Sequence, residues 1–401
     1  MVRIGTAAIC LDGGALEVSA QVEVDWPDEK VSDRLWFRLP GTVNVSAEAA
    51  TDACFVLGLL LAMASGQRLQ MDGPVSARLL ADSAELQGIL TCWHPRRLKT
   101  VALDVNPRSG PTAAPGATQG TISFFSGGAD SFYTALAQPD RVGTLVFVHG
   151  FDIPLSNTTF FAEALSHVEA SAASLGKPLV TMSTNLRRFT NQRAYWGPVT
   201  HGVALAAAGL LLHSRGDTLL IPASYTYTDL HPWGTHPLTD RLRSTEYLQL
   251  VHDGADASRA EKILHLAHDP VAQRHLRVCW QKTGAYNCGL CEKCLRTMVT
   301  LKLAGTLHLF ETFPDTFTLD RVREMRLTRE LFARDNYRLA KQVGDAEVAA
   351  AVKESIARYR QRVAAQQPTK KPAATKSPVI TTTGRLGRFV PAGLRRALRA
   401  R

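Results

Sequence analysis

The residues of this chain best suited to chemistry form the turn Ser-Gly-Gly-Ala-Asp-Ser at 126–131. The surrounding stretch, 122–136, predicts a short buried strand that runs into the turn and a helix that leaves it. Gly127 and Gly128 leave the backbone open to a ligand, and the N–H groups of the turn lie at the positive end of the helix dipole. This arrangement suits a phosphate or pyrophosphate. Two hydroxyl donors stand at the ends of the turn, Ser126 and Ser131.

Asp130 lies inside this turn but cannot bind a phosphate directly, because both carry negative charge. Its expected role is to cap the helix or to hold a Mg²⁺ ion that bridges phosphates. The turn lacks the lysine of the Walker pattern and contains no G-x-G-x-x-G. An ordinary glycine turn with a Ser/Asp cap is the structural alternative.

A second group of chemical residues is a cluster of four cysteines with the spacing C-x8-C-x2-C-x2-C: Cys279, Cys288, Cys291 and Cys294. C-x2-C with a glycine inside places two sulfurs on one side of a tight turn, which predicts a four-thiolate Zn²⁺ site. An iron–sulfur cluster and disulfides are the alternatives. Closed coordination by four protein ligands predicts a zinc ion that supports folding rather than activates water.

Strands and helices alternate after the turn. Apolar segments predict strands at 144–148, 179–183 and 218–222, and helices at 160–175 and 201–214. This order predicts an α/β fold with a doubly wound parallel sheet that is covered by helices on both faces.

Ligands of such sheets bind beyond the carboxyl ends of the strands. That rule directs attention to the segments 149–152, 185–188 and 224–246, each of which follows a predicted strand. A helix opened by a Ser cap at 258 adds two cations that could reach phosphates, Arg259 and Lys262. The longest segment holds the candidate polar residues His231, Trp233, His236, Asp240, Arg241 and Arg243, for which an incidental surface loop is the alternative.

Composition divides the chain into five predicted parts. They are an N-terminal α+β domain at 1–103, a Pro/Gly/Ala/Thr-rich linker at 104–120, the sheet domain at 121–305, a helical C-terminal extension at 306–365 and a basic tail at 366–401. A helix is predicted at 292–303, leading out of the cysteine cluster, and two more in the extension at 319–338 and 346–363. The N-terminal domain is expected to hold strands at 15–24 and 34–39 and a long buried helix at Ala47–Ser65. Its other cysteines, Cys10, Cys54 and Cys92, lack metal spacing and are expected to be small buried hydrophobes.

The net charge of +10 belongs to the tail and not to the folded body. Residues 366–401 hold nine cations and no acid, which leaves 37 cations and 36 acids elsewhere. The tail is expected to be disordered, with an anionic membrane, nucleic acid or protein as its candidate partner and a solvated tail without a partner as the alternative. The N-terminal domain is a second candidate surface for a protein partner. Because no secretory leader or uncharged apolar run of membrane-spanning length is evident, we expect a cytoplasmic enzyme without a transmembrane segment.

The turn at 126–131 resembles the PP-loop of N-type ATP pyrophosphatases, which have an adenine nucleotide alpha hydrolase-like fold. Together with the four cysteines, it resembles 7-cyano-7-deazaguanine synthase (QueC) and its relatives over about residues 121–305. The resemblance implies binding of ATP phosphates by Ser126, Gly127, Gly128, Asp130 and Ser131, with Asp130 and Ser131 as the catalytic candidates. It also implies Mg²⁺, zinc on the four cysteines, and adenylation of a deazaguanine-type carboxylate for attack by ammonia or an amine.

The chain departs from the housekeeping synthase in its added N- and C-terminal segments and in FVHGFDIP after the second strand of the sheet domain. A different pathway is therefore open, such as an antiviral defence cassette or natural-product synthesis rather than queuosine biosynthesis. Two alternative functions are a PP-loop tRNA sulfur transferase and an ATP-binding scaffold without catalysis. The former usually needs a reactive cysteine outside the zinc cluster.

Overall fold

The computed structural model describes residues 1–109, 119–191, 193–281 and 285–366. Residues Met1–Tyr359 form one compact unit, and a second unit starts at Arg360, where the described part is the end of the last helix. Most of the predicted linker, 110–118, lies outside the described residues. The predicted basic tail lies outside them from residue 367 onward.

Eleven strands form one sheet in the described part of the chain. They are β1 (Val2–Ile4), β2 (Ala8–Asp12), β3 (Ala15–Asp25), β4 (Lys30–Pro40), β5 (Leu69–Met71), β6 (Leu103–Asp104), β7 (Thr121–Phe124), β8 (Thr144–His149), β9 (Leu179–Thr184), β10 (Thr218–Pro222) and β11 (Gln249–Asp253). The α-helices are α1 (Ala47–Ser65), α2 (Ala77–Trp93), α3 (Ala129–Ala137), α4 (Thr158–Ser174), α5 (Leu186–Thr190), α6 (His201–Leu210), α7 (Pro237–Asp240), α8 (Arg259–Leu266), α9 (Pro270–His275), α10 (Glu292–Leu303), α11 (Leu319–Glu324), α12 (Leu331–Val343) and α13 (Ala346–Gln366).

The C-terminal half of the sheet is parallel and runs in the order β11-β10-β7-β8-β9. If β7 to β11 are renumbered 1 to 5 along the chain, the order across the sheet, read from β9, is 3-2-1-4-5. The chain therefore moves outward in one direction from β7 to β9 and in the opposite direction from β10 to β11, so the switch lies between β7 and β10. Such a switch point is where doubly wound sheets bind ligands. The predicted mixed α/β class with a large, mostly parallel sheet is confirmed.

Both faces of the parallel strands are buried, and alternate side chains enter different cores. Val146 and Val148 of β8 belong to a core shared with α1 and α6, whereas Leu145 and Phe147 belong to a core shared with α3 and α4. This explains why the strands read as continuous apolar runs. Each fully buried side chain of this size contributes about 1.5–3 kcal/mol.

The N-terminal strands extend the same sheet. β3 and β4 form a long antiparallel hairpin, and β4 pairs with β9 in an antiparallel register that sets Phe37 opposite Thr184 and Arg38 opposite Ser183. Asn185 adds hydrogen bonds to the backbone of Trp36 and Arg34. The pairing joins the segments 1–103 and 121–305 in one sheet.

A buried carboxylate ties the N-terminal helices to the parallel half. Asp52 of α1 is fully buried and accepts hydrogen bonds from the Tyr247 hydroxyl at 2.6 Å, the Ser76 N–H at 2.8 Å and the Arg108 guanidinium at 2.9 Å. Burial raises the pKa of Asp52. Because a buried polar group is costly when it loses its partners, this cluster favours one arrangement of the segments that carry it.

Helix α1 confirms the predicted helix Ala47–Ser65. Ser46 caps its N-terminus and Gly66 ends it at φ 70°. Among the described helices, α1 alone has the length and hydropathy to cross a membrane, but 78% of that window is buried inside the protein. Its apolar character is therefore that of a core helix.

Two predicted elements differ from the structure, and one observed strand was not predicted. The helix predicted at 201–214 ends at Leu210, and the helical stretch expected at 319–338 is broken between Glu324 and Leu331. Strand β11 was not predicted, because it is a short edge strand with His252 and Asp253 at its end. Edge strands carry a weaker apolar signal than central ones.

A pair of helical glycines gives a test of the packing. A Cβ on Gly202 of α6 would lie 1.8 Å from the Gly234 carbonyl oxygen, whereas a Cβ on Gly88 of α2 meets nothing within 4 Å. Gly202→Ala is expected to lower the unfolding free energy by about 1–3 kcal/mol through overpacking. Gly88→Ala is expected to raise it by about 0.5–1 kcal/mol through helix propensity. Urea denaturation measures both, and equal effects would contradict the close approach of the backbones at Gly202.

Candidate functional site

A cavity of about 760 Å³ opens beyond the carboxyl ends of β7, β8 and β10, at the switch point of the parallel sheet. Its size suits a nucleotide or other small molecule. The turn 126–131, the π-helical turn Trp196–Thr200, helices α8 and α10, and the segment before α12 supply its walls. Four of the five predicted loop residues line it: Ser126, Gly128, Asp130 and Ser131.

The hydroxyl of Ser131 organises the turn. It accepts the N–H groups of Ser126 at 3.3 Å and Gly128 at 3.1 Å and donates to the Gly128 carbonyl at 3.0 Å. Gly127 turns the chain behind the cavity at φ 70°, in the left-handed region that favours glycine. Its carbonyl accepts the N–H of Arg277 at 2.8 Å, and the Arg277 guanidinium donates to the Ser126 carbonyl at 3.2 Å. The segment that follows α9, which carries Arg277, therefore holds the turn from the other side.

Asp130 is bound by two cations and makes no helix cap. Its carboxylate accepts Arg259 Nη2 at 2.7 Å and lies 3.4 Å from Lys262 Nζ, which also donates to the Ala223 carbonyl at 2.6 Å. Burial alone would raise the pKa of Asp130, but Arg259 and Lys262 outweigh it and hold the pKa below its ordinary value. Asp130 is therefore ionised at neutral pH and fixes both cations beside the turn.

The cavity is strongly cationic. Its lining holds six cations and only two carboxylates. The carboxylates are Asp130 and Asp152, and the cations are Arg187, Arg259, Arg277, Lys293, Arg296 and Arg329. Burial lowers the pKa of Lys293 to about 8 and that of Arg296 to about 10. Charges held in a partly dry cleft attract a polyanion more strongly than the same charges in water.

The segments after β8 and β9 contribute an aromatic and cationic wall. The Arg187 guanidinium lies 4.5 Å from the centre of the Trp196 ring and donates to the Phe151 carbonyl at 2.7 Å. Phe151 and Trp196 pack with their ring centres 5.6 Å apart. Of the predicted segments 149–152 and 185–188, the cavity thus receives Phe151, Asp152 and Arg187.

The predicted segment 224–246 divides between two places. Ser224, Tyr225 and Trp233 line the cavity, and His231 packs against both of these aromatic rings. The other candidates lie elsewhere. Asp240 binds Arg243 and His252 in a buried cluster, His236 packs on Trp93, and Arg241 pairs with Glu85 on the surface.

The four cysteines of the predicted cluster lie together, with all their sulfurs within 4.8 Å of one another. Cys279 and Cys291, and likewise Cys288 and Cys294, have Sγ atoms 3.9 Å apart. A tetrahedral zinc with Zn–S bonds near 2.3 Å requires sulfurs about 3.8 Å apart, so the spacing fits. The N–H groups of Leu290 and Cys291 point at the Cys288 sulfur, at 3.5 and 3.3 Å. The predicted cluster is confirmed, and the identity of its metal stays a prediction.

The cysteine cluster borders the cavity. Cys279 lines it directly, Trp280 follows Cys279, and α10 places Lys293 and Arg296 in the same wall. Cys54 is fully buried, where burial raises the pKa of its thiol to about 12. Cys10 and Cys92 are exposed and are not among the described residues that line the cavity. The expectation that they are buried is wrong, because each lies on the outer face of its element.

Four cationic residues of the cavity were not predicted from the sequence: Arg277, Lys293, Arg296 and Arg329. Lys293 and Arg296 lie on the helix predicted to lead out of the cysteine cluster, and that helix was the available signal. Arg277 and Arg329 follow no motif in the sequence.

The chain matches no protein-family model, no curated protein and no solved structure. Fold and site define it as a mixed α/β protein with a cationic cavity at the switch point of its parallel strands and a four-cysteine cluster beside that cavity.

Proposed function

We propose that this protein is an ATP-dependent, adenylate-forming carbon–nitrogen ligase of the PP-loop class, similar to 7-cyano-7-deazaguanine synthases. The observation that carries the proposal is the Ser-Gly-Gly-Ala-Asp-Ser turn, which opens at a switch point onto a cavity with six cations. A glycine turn before a helix and an excess of positive charge both favour a polyphosphate.

ATP would lie with its phosphates against the turn 126–131. Arg259 and Lys262 are held there by Asp130, and Arg277 reaches the same turn through Ser126. Because Arg259 and Lys262 already occupy the Asp130 carboxylate, it is a poor Mg²⁺ ligand in this arrangement. Magnesium usually takes one or two carboxylates together with substrate phosphates, so we assign it no step.

The reaction begins when a carboxylate oxygen of the substrate attacks the α-phosphorus of ATP. The bond from this phosphorus to the bridging oxygen of the β-phosphate breaks, and pyrophosphate leaves. Ammonia or an amine then attacks the acyl adenylate, forms the carbon–nitrogen bond and displaces AMP. The cations at the turn would stabilise the charge that develops on the departing pyrophosphate.

The four cysteines would hold zinc in a closed site, which supplies structural cross-linking and leaves no open position for water. Zinc in this site would hold Trp280, Lys293 and Arg296 in position, since these residues flank the cysteine cluster and line the cavity. A tRNA sulfur transferase is less favoured, because Cys10, Cys54 and Cys92 lie outside the cavity lining.

The experiment is the measurement of pyrophosphate release from ATP with 7-carboxy-7-deazaguanine present or absent and ammonium supplied. Release that depends on the acid is expected. ATP binding without release for any carboxylate would favour the scaffold alternative.

Two adjacent arginines provide a matched comparison in the same assay. Arg187 lines the cavity and lies over Trp196, whereas Arg188 is exposed and pairs with Asp33 at the surface. Arg187→Ala is expected to lower kcat/KM about tenfold, the effect of losing one charged contact. Arg188→Ala is expected to leave it unchanged. Equal losses in both variants would contradict the location of the site.

A further inference from the structure

An arginine from the C-terminal extension reaches the cavity. Arg329 precedes α12, and its guanidinium lies 5.2 Å from the centre of the Trp233 ring and 5.4 Å from that of Tyr225. Both rings follow β10, so the extension closes the cavity against the sheet. The segment 306–365 lies beyond the part of the chain that resembles PP-loop enzymes, and it thus adds its own residue to the site.

The positive charge of Arg329 is not neutralised in the cavity. Its Nη1 donates to Nε2 of His231, and Nδ1 of His231 lies 2.9 Å from the Asp229 carbonyl oxygen. A carbonyl only accepts, so Nδ1 carries the proton and Nε2 is the acceptor of a neutral ring. Burial lowers the pKa of His231, which favours this neutral form. Among the described residues, no carboxylate pairs with Arg329.

A second arginine faces the same part of the cavity. The Arg296 side chain is 6% exposed, its guanidinium stacks 3.9 Å from the centre of the Phe332 ring, and its Nε finds no hydrogen-bond partner among the described residues. Glu292 lies 3.4 Å from Arg296 but is also bound by the hydroxyl and N–H of Thr328, at 2.6 and 2.8 Å. The same carboxylate thereby fixes the residue that precedes Arg329.

We propose that Arg329 and Arg296, with the rings of Tyr225, Trp233 and Phe332, form the subsite for the acid substrate. The ligand class is a planar aromatic carboxylate. Its ring stacks on the aromatic side chains, and its carboxylate accepts hydrogen bonds from the guanidinium groups. This inference rests on the proposed function, and it assigns the recognition of the acid to the C-terminal extension.

Contact with the glycine turn decides between this ligand and a phosphate group. Arg259, Lys262 and Arg277 surround the turn, where backbone N–H groups also favour phosphate. Among the described residues, Arg329 makes its hydrogen bond to His231 and none to the turn or to Asp130. It lies over the rings of Tyr225 and Trp233, which can stack on the flat face of an aromatic ligand. The cavity therefore has a phosphate end and an acid end.

The test is calorimetric titration of the full, zinc-loaded chain with 7-carboxy-7-deazaguanine, its 7-carboxamide and ATP. The wild type is expected to bind the acid more tightly than the uncharged amide. Arg329→Gln is expected to weaken binding of the acid about 10- to 100-fold, as loss of a charged hydrogen bond does, and to leave the affinities for the amide and ATP unchanged. Arg326→Gln is the matched control, because Arg326 is exposed three residues away and is not among the cavity-lining residues.

Several outcomes would overturn the proposal. They are failure of the wild type to bind the acid, equal affinity for acid and amide, or a loss confined to ATP in Arg329→Gln. Should the glutamine variant misfold, Arg329→Lys keeps the charge but not the planar fork, and an intermediate affinity for the acid is then expected. Unchanged affinity in Arg329→Lys would count against the subsite.

The two proposals fail separately. Acid binding that depends on Arg329 without pyrophosphate release would reject the ligase and leave the subsite. Acid-dependent release with the same KM for the acid in the wild type and Arg329→Gln would reject the subsite and leave the ligase.

Discussion

Cys294→Ser is expected to remove zinc from the purified protein and to lower its unfolding free energy by several kcal/mol. Cys294 is fully buried in α10, and its sulfur lies 3.9 Å from that of Cys288. A serine hydroxyl is a poor zinc ligand at neutral pH, so one corner of the site is lost. Structural zinc contributes about 10–16 kcal/mol in small zinc-binding peptides. That is comparable with the total stability of a domain, about 5–15 kcal/mol.

Metal analysis and thermal unfolding measure the two effects. Cys92→Ser is the matched control, since Cys92 is exposed on α2 and far from the cluster in sequence. It is expected to keep one zinc per chain and the wild-type melting temperature. A full zinc content in Cys294→Ser would contradict the four-thiolate site. Because α10 also carries Arg296 of the proposed acid subsite, weaker binding of the acid should accompany the loss of metal.

Asp130→Asn is expected to reduce acid-dependent pyrophosphate release about 100-fold, the cost of small displacements of positioned groups at an active site. The carboxylate holds Arg259 at 2.7 Å and Lys262 at 3.4 Å, and the amide keeps the shape but not the charge. The two cations would then lose their common anchor beside the turn. Steady-state kinetics should show a fall in kcat.

Asp253→Asn serves as its control. Asp253 also makes a short carboxylate–arginine pair, with Arg141 at 2.6 Å, but it is not among the described residues that line the cavity. A loss of release in Asp253→Asn as large as in Asp130→Asn would indicate general destabilisation instead of a positioning role for Asp130.

The pH dependence of stability has a defined sign for Asp130. Its pKa is lower in the folded protein than the ordinary 3.8, because the two cations outweigh burial. The stabilisation is therefore present at neutral pH and is lost as pH falls below the ordinary carboxyl range. The difference in unfolding free energy between the wild type and Asp130→Asn should shrink over the same range.

Elements governed by neighbouring residues were predictable. The ends of α1 follow from the cap at Ser46 and the left-handed glycine at Gly66, and α10 was predicted with its observed bounds, Glu292–Leu303. The cysteine cluster followed from spacing, because C-x2-C brings two sulfurs together within one turn. Strand β7, the turn and α3 likewise follow from one continuous stretch of sequence.

Contacts between segments that are distant in sequence could not be predicted from local sequence patterns. The pairing of β4 with β9 joins residues nearly 150 positions apart, which leaves no local pattern. Ser131 was expected to face a phosphate, but its hydroxyl binds the turn itself. Arg277 and Arg329 do not belong to a motif, so their sequence neighbours do not predict a site. They line the cavity because of the strand order and the packing of the helices.

Local sequence was therefore sufficient for the glycine turn, the metal-type cluster and the alternation of strands and helices, since each depends on residues a few positions apart. The charge of the cavity and its closure by the C-terminal extension depend on which segments the folded sheet brings to its switch point. Which segments meet there depends on long-range packing. The burial of apolar faces determines which helices and strands become neighbours, and the positions of these elements determine where their cationic side chains lie.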